Sequence, residues 1–460
     1  MNGKRRVLAA GLVAAWCLSS LSVHGQITSQ RLNNAPSEPQ NWLMYSGNYS
    51  STRYSPLNQI TPANVKNLKL QWVYQSPVAG NWQTTPIVVD GMMYITQRLN
   101  DVVALDAATG RAFWMYRYTP AQDRIVCCGA NNRGLAILGD TLFMGTLDAQ
   151  LIAIDAKSGH PLWKTEVAST KSGYSITLAP LVVKDKVIVG VGGGEYGIRG
   201  FIAAYDAATG KEAWRFYTIP APGEQGSDTW QRCPPQSKGF CDPDAWKHGG
   251  GSIWLTGSYD PKLNLTYWGV GNVGPDYNGE QRPGDNLYTD SVVALDADTG
   301  KLKWHYQFTP HDVYDYDSVQ IPVLIDNWDG SSINVITWAN RNGNFYAIDR
   351  ATGRFLVGKP FVKVNWMSGF DERGRPKQTP QPDGQATYPG NQGGTNWYSP
   401  SFSPRTGLFY ISAWEDYASI YSPAPSEYKV GTNFVGGGPR NLSAVPGAPG
   451  LGRAPINTWT

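Results

Sequence analysis

Val103-Ala104-Leu105-Asp106-Ala107-Ala108-Thr109-Gly110-Arg111-Ala112-Phe113-Trp114 is the stretch from which the fold is read. A short apolar strand runs into a tight turn closed by Asp106 and Gly110, and a second strand ends on an aromatic residue, which is a hairpin pattern. The same pattern returns at 152–163, 203–214 and 293–304, each time with eight residues from Asp to Trp. Residues 346–356, with Asp349, Thr352 and Gly353, form a fifth copy without the Trp.

The aspartates fall at 106, 155, 206, 296 and 349, so the steps are 49, 51, 90 and 53 residues. The long step is nearly two periods; it carries its own hairpin at 251–271 and a cysteine-bearing insertion at 220–247. A period near fifty with about four short strands per unit predicts an all-β protein, a β-propeller whose blades bury their faces against one another. Further blade material lies at 398–414, and counting from Trp42 gives about six blades. The end, 440–460, reads as loop and offers no closing strand, which favours a truncated ring over a closed one of six. Helix is scarce: 62–68 alone invites one, with Thr61 as N-cap and Pro62 at the first position.

The 460 residues are 41% hydrophobic and 12% aromatic, with 51 glycines and 32 prolines, which suits a large core threaded by many turns. Lys4-Arg5-Arg6, the apolar run 7–21 and small residues up to Gly25 read as a secretory signal peptide over 1–25, leaving 26–460 as the propeller domain. Its loss removes three cations from a net charge of +3, so neither nucleic acid nor an anionic membrane is an expected partner. The expected location is the periplasm. Cys17 lies in that leader, and four cysteines remain. Cys233 and Cys241 flank a Pro-rich loop and would close it as a disulfide. The adjacent Cys127 and Cys128 are either two thiols in a turn or a vicinal disulfide; export favours the bond.

A second stretch carries chemistry: Thr309-Pro310-His311-Asp312-Val313-Tyr314-Asp315-Tyr316-Asp317. In an extended segment, carboxylates at i and i+2 point the same way, so Asp315 and Asp317 would face one hard cation; the alternative is a solvated acidic loop.

Several motifs in order now make the chain resemble a known family. They are Cys127-Cys128 followed by Asn132-Arg133-Gly134; Gly192-Gly193-Gly194-Glu195-Tyr196-Gly197; His248-Gly249-Gly250-Gly251-Ser252-Ile253-Trp254; Gly271-Asn272-Val273-Gly274-Pro275; Pro310 to Asp317; Arg341-Asn342-Gly343; and Asn396-Trp397. Together they resemble the pyrroloquinoline quinone (PQQ) dependent alcohol dehydrogenases of the methanol/ethanol family, over about 42–438. The resemblance implies an eight-bladed propeller of which this chain holds about six blades. It implies that a Cys127–Cys128 disulfide covers one face of PQQ and Trp254 the other, and that Arg133 pairs with a PQQ carboxylate. Arg341 would bind the quinone oxygens. Thr177, Ser252, Asn396 and the backbone of Gly193 and Gly194 would add hydrogen bonds.

The implied ion ligands are Glu195, Asn272 and Asp315, with Asp315 also taking the proton of the alcohol. Asp317 stands where calcium-using members have a small residue, and an Asp there marks lanthanide-using ones; a third carboxylate suits a trivalent ion. The sequence departs from the family at Gln83, at Gly193 and Gly194 before the metal Glu, and at Tyr314 before the catalytic Asp. No C-x-x-C-H haem motif occurs, so the implied electron acceptor is a separate soluble cytochrome c. The substrate class is a small alcohol, and a homodimer stays open. The competing readings are a non-catalytic propeller scaffold of the bacterial envelope and an inactive quinoprotein fragment.

Overall fold

The computed structural model describes residues 26–80, 82–231, 241–442 and 458–459. The expected signal peptide at 1–25 and Cys233 lie outside them; Cys241 takes part in a disulfide. Among the described residues no helix is long and apolar enough to cross a membrane.

Among the described residues, five antiparallel four-stranded sheets follow one another along the chain, each with its strands in sequence order. The first is Ile87–Val89, Met92–Thr96, Val102–Asp106 and Ala112–Tyr116. The second runs from Ala136–Leu138 to Pro161–Glu166 and the third from Leu181–Val183 to Glu212–Tyr217. The fourth spans Ser258–Asp260, Leu265–Gly269, Ser291–Asp296 and Leu302–Gln307, and the fifth runs from Val323–Ile325 to Phe355–Pro360. The 90-residue step is therefore one sheet behind a long insertion, not two blades. In each sheet the second and third strands are mostly buried and the fourth is less so, as in Val102–Asp106 against Ala112–Tyr116.

The repeated hairpin works the same way at every copy. Asp106, Asp155, Asp206, Asp296 and Asp349 each accept from the backbone N–H three residues on, fixing the turn. Just before each Asp the ladder slips by one residue, a recurrent bulge that re-aims the outer strand.

The tryptophans join one sheet to the next. Trp72, Trp114, Trp163, Trp214 and Trp304 donate Nε1–H to the carbonyls of Ala107, Ala156, Ala207, Ala297 and Arg350 at 3.1–3.2 Å. Each indole lies on the turn glycine of the sheet it reaches: a Cβ on Gly110, Gly159, Gly210, Gly300 or Gly353 would meet it at 2.4–2.6 Å. Those glycines have φ of +69° to +76°, so conformation and contact both demand glycine. The spacing of Asp, Gly and Trp thus encodes the blade-to-blade joint.

Later in the chain the pattern lapses. Ser401–Ser403, Leu408–Tyr410 and Thr458–Trp459 make a three-stranded sheet, while Met367–Phe370 with Pro376–Gln378 and Ala418–Pro423 with Gly437–Leu442 make two-stranded ones. The expected loop at 440–460 is thus corrected: Arg440 lies in a strand, and Thr458–Trp459 pairs with Leu408–Tyr410. The expected helix at 62–68 is a single 3-10 turn, Val65–Asn67; Thr61 supplies no side-chain cap and instead donates its N–H to Asn64 Oδ1. A short α-helix that the sequence reading omitted, Ser29–Asn33, is capped by Thr28 Oγ1 accepting from Arg31 N–H.

Candidate active site

The loops between strands converge on a cavity of about 300 Å³, at the low end for a small-molecule site. Cys127 and Cys128, bonded to each other, line it together with Trp254. Arg133, Thr177, Gly193, Ser252 and Asn396 also line it, as do Glu195, Asp315, Asp317 and Arg341. Of the residues expected at the site, Gly194 and Asn272 stand just behind the wall. A Cβ on Gly194 would lie 3.4 Å from Ser252 Oγ and 3.5 Å from Asn272 Oδ1, so these three are packed together.

Among the described residues, one cation of the wall, Arg133, has no ion-pair partner. Arg133 is 5% exposed; its Nη1 donates to Thr177 Oγ1 at 2.9 Å and to Trp254 O at 3.2 Å, and its guanidinium stands 4.9 Å above the Trp254 ring. Its buried Nε has no partner, and burial pulls its pKa down to about 10. A buried guanidinium with a free donor beside an indole face calls for a planar anionic ligand.

Opposite charge gathers at the other end. Asp312 accepts from the N–H groups of Tyr314 (3.1 Å) and Tyr316 (2.9 Å), coiling the segment so that Asp315 sits at φ +63°. The extended i, i+2 geometry expected for Asp315 and Asp317 is therefore replaced by a turn. What brings the pair together is Arg341: Nη1 lies 2.5 Å from Asp317 Oδ2 and Nη2 3.1 Å from Asp315 Oδ2. The expected quinone partner of Arg341 thus gives way here to two carboxylates. Asp317 Oδ1 accepts from Asn272 N–H at 3.0 Å, and a Cβ on Gly271 would come within 2.4 Å of that oxygen.

Tyr277 donates its hydroxyl to Asp315 Oδ2 at 3.2 Å. Glu195, on the turn Gly194–Tyr196, is pushed up to about 7 by burial, with Asp317 adding to the rise and Arg341 opposing it. Asp315 is held well above the usual carboxylate range, first by burial and then by Asp317 and Glu195 against the pull of Arg341. Glu195 Oε1 lies 3.8 Å from Cys128 Sγ. Among the described residues, Cys127, Cys128 and Glu195 are the one trio whose ligand atoms lie within 4.8 Å of one another, but disulfide sulfurs are not thiolates and this trio is no metal centre. Glu195, Asp315 and Asp317 line the same cavity, but among the described residues their carboxylate oxygens do not all come within 4.8 Å of one another, and Arg341 supplies the positive charge that the expected ion would bring to Asp315 and Asp317.

Residues 42–365 match the PQQ family of glucose, ethanol and alcohol dehydrogenases, in its beta-propeller domain. The chain belongs to this family. Within the quinoprotein dehydrogenases it is 41% identical over 416 residues to the quinohemoprotein alcohol dehydrogenase ADH IIB of Pseudomonas putida, covering 86% of this chain and 58% of that protein. It is 38% identical over 447 residues to the lanthanide-dependent methanol dehydrogenase of Methylacidiphilum fumariolicum (strain SolV), covering 92% of this chain and 73% of that one. A solved europium-containing methanol dehydrogenase superposes with a TM-score of 0.83 at 37% identity, over 90% of this chain and 75% of its own. The chain therefore spans little more than half of the first of these quinoproteins.

Some site residues escaped the sequence reading. Asn131 and Gln392 line the cavity, beside Trp397 of the Asn396-Trp397 motif, and Tyr277, which was also missed, donates to Asp315 from behind it. Tyr277 follows Asn272 by five residues, and that proximity was the available signal. The strap at 424–436 gave none. It packs Tyr428 on His248 (4.1 Å, interplanar angle 7°) and ties Phe434 N–H to Glu195 O at 2.7 Å.

Proposed function

We propose that the protein is a periplasmic quinoprotein dehydrogenase that oxidises small alcohols to aldehydes and passes the electrons to a cytochrome c. The observation that carries this reading is the buried, unpaired Arg133 facing a cavity shared by Trp254, the Cys127–Cys128 disulfide and the Asp315–Arg341–Asp317 cluster.

PQQ, when bound, supplies a two-electron acceptor, and the ion beside it supplies a Lewis acid. The chain does the rest. Arg133 would meet a carboxylate of the cofactor, which would compensate its burial. Trp254 and the disulfide offer the two walls, and Thr177, Ser252, Asn396 and the backbone at Gly193 and Gly194 offer polar contacts at the rim. Glu195, Asn272, Asp315 and Asp317 would hold the ion. Arg341 and Tyr277 both act on Asp315 Oδ2, so Oδ1 is the oxygen that takes the alcohol's proton.

The ion in this reading is a lanthanide in preference to calcium, because Asp317 adds a carboxylate to Glu195 and Asp315. The lanthanide-dependent and europium-containing relatives support it. The leader at 1–25 supports export. The test is reconstitution with PQQ and either La³⁺ or Ca²⁺, followed by dye reduction on short alcohols. Turnover with La³⁺ above that with Ca²⁺ is expected; no turnover with either ion on any alcohol removes the proposal.

A further inference from the structure

Ala418–Pro423 and Gly437–Leu442 pair as a hairpin, and the long loop between them, 424–436, is fastened along its length to other loops. At its start Asn278 Nδ2 donates to Ala424 O at 3.0 Å, and Gln281 exchanges two hydrogen bonds with the backbone of Ser426 at 2.7 and 3.1 Å. Further on, a Cβ at Gly431 would lie 2.6 Å from Lys171 O and 2.7 Å from Ile125 Cδ1. On the return Phe434 donates its N–H to Glu195 O at 2.7 Å, and Val435 O accepts from Tyr277 N–H at 2.9 Å. The loop thus ties the turn of Glu195 to the segment that follows Asn272.

Phe434 is the centre of that fastening. It is 1% exposed, whereas Thr432 and Asn433 before it are open to solvent. Its ring stands edge-on to His248 at 5.3 Å and to Tyr428 at 5.6 Å, and His248 Nε2 is held in turn by Asp242 Oδ2 at 2.6 Å. Gly197 lies against both rings, since a Cβ there would meet Tyr428 at 2.9 Å and Phe434 at 3.1 Å. Glu195 presents its carboxylate to the cavity from one 3-10 turn, Gly194–Tyr196, with Gly193 and Gly197 at positive φ on either side. A turn flanked by glycines has many backbone alternatives, so contacts from outside it must choose among them.

We infer that the 424–436 loop is a brace of the active site and that Phe434 is a positioning residue for Glu195. The Phe434 N–H fixes the Glu195 carbonyl, the ring fixes the Gly197 end of the turn, and together they aim the carboxylate. The inference rests on the reading of Glu195 as an ion ligand. Coupling of this kind is reciprocal: a brace that favours the ion-ready turn is itself steadied when an ion binds.

Two measurements on the full chain test it. Amide hydrogen exchange is followed with and without La³⁺, and the Phe434 amide is expected to exchange roughly tenfold more slowly with the ion bound. La³⁺ affinity is then measured by titration calorimetry on the parent chain, Phe434→Ala, Glu195→Gln and the double variant, with thermal midpoints monitoring folding. Phe434→Ala is expected to weaken La³⁺ by roughly tenfold in the parent and to have no further effect once Glu195 is Gln, because it acts through that side chain. Where Phe434→Ala does not fold, Phe434→Leu takes its place in the cycle. The same loss in both backgrounds, or Phe434 exchange that La³⁺ leaves unchanged, overturns the brace and leaves the ion site standing. No saturable La³⁺ binding to the parent chain overturns the ion site and this inference with it.

Discussion

The outer ring of tryptophans and the axial cluster of charges are built on opposite terms. Around the rim every joint is satisfied: five indole N–H groups meet five carbonyls, and five glycines accept five rings. At the axis polar atoms stand without partners, among them Arg133 Nε and Gln83 Oε1, and carboxylates crowd together. Buried polar groups are nearly always paired in folded proteins, so the contrast separates what holds the ring together from what a ligand completes. The rim supplies stability, and the axis draws on it.

The sharpest way to break that comparison is at Asp315. Asp315→Asn is expected to lower turnover of the reconstituted protein by roughly a thousandfold while the thermal midpoint of the ion-free chain holds or rises, since a buried carboxylate is removed. Dye reduction and calorimetry on the same preparation check it; a large loss of stability would place Asp315 among the structural residues.

Next comes the rim. Trp214, 8% exposed, fills the joint between the third and fourth sheets. Trp214→Ala is expected to cost about 3–5 kcal/mol of stability, read from denaturant unfolding, while the folded fraction keeps its quinone absorbance on reconstitution. Quinone binding lost in step with no change in stability would reverse the roles drawn here.

Arg133→Met should show the axis alone. It is expected to weaken PQQ binding by roughly ten- to a hundredfold without lowering stability, because it removes a buried cation that no protein anion balances. Fluorescence titration with PQQ and a thermal melt would show it.

The smallest effect is in pH. Glu195, with an ordinary value of 4.5, rises to about 7, and Asp312 from 3.8 to about 6. The folded chain therefore binds more protons than the unfolded one across that window. The stability of the ion-free chain is fully present below the ordinary carboxylate values and is lost as pH rises towards 7. Melting at pH 5 and pH 7 is expected to give the lower midpoint at pH 7, and La³⁺ to flatten the difference; a higher midpoint at pH 7 without the ion would contradict the burial of these carboxyls.

The two regions also differed in how far the sequence disclosed them. The rim follows a local rule, since Asp106, Gly110 and Trp114 recur at fixed spacing and each repeat needs only its neighbour; the sheets could be read off in order. The exception was the step from Asp206 to Asp296, where a long insertion imitated a missing repeat. The axis has no period. Arg133, Glu195, Asn272, Asp315 and Arg341 come from five separate loops, and their union was legible only through resemblance to a family. Tyr277 and the 424–436 strap were missed because nothing local distinguishes a buried Tyr in a Gly-Pro loop or a coil from a solvent-facing one. The turn at 312–316 was missed for a related reason: the Asp312 side chain, not the strand pattern, decides it.

Arg341 clasps Asp315 and Asp317 with its own guanidinium, and this has a bearing on how such a protein matures. Mutual repulsion between the two aspartates is quenched from within, so the polypeptide can finish folding before any metal reaches it. Loading is then a substitution of one positive charge for another, in which an arriving ion must outcompete a tethered rival. Weakly charged ions lose that contest first, which gives the apoprotein a filter at the moment of assembly.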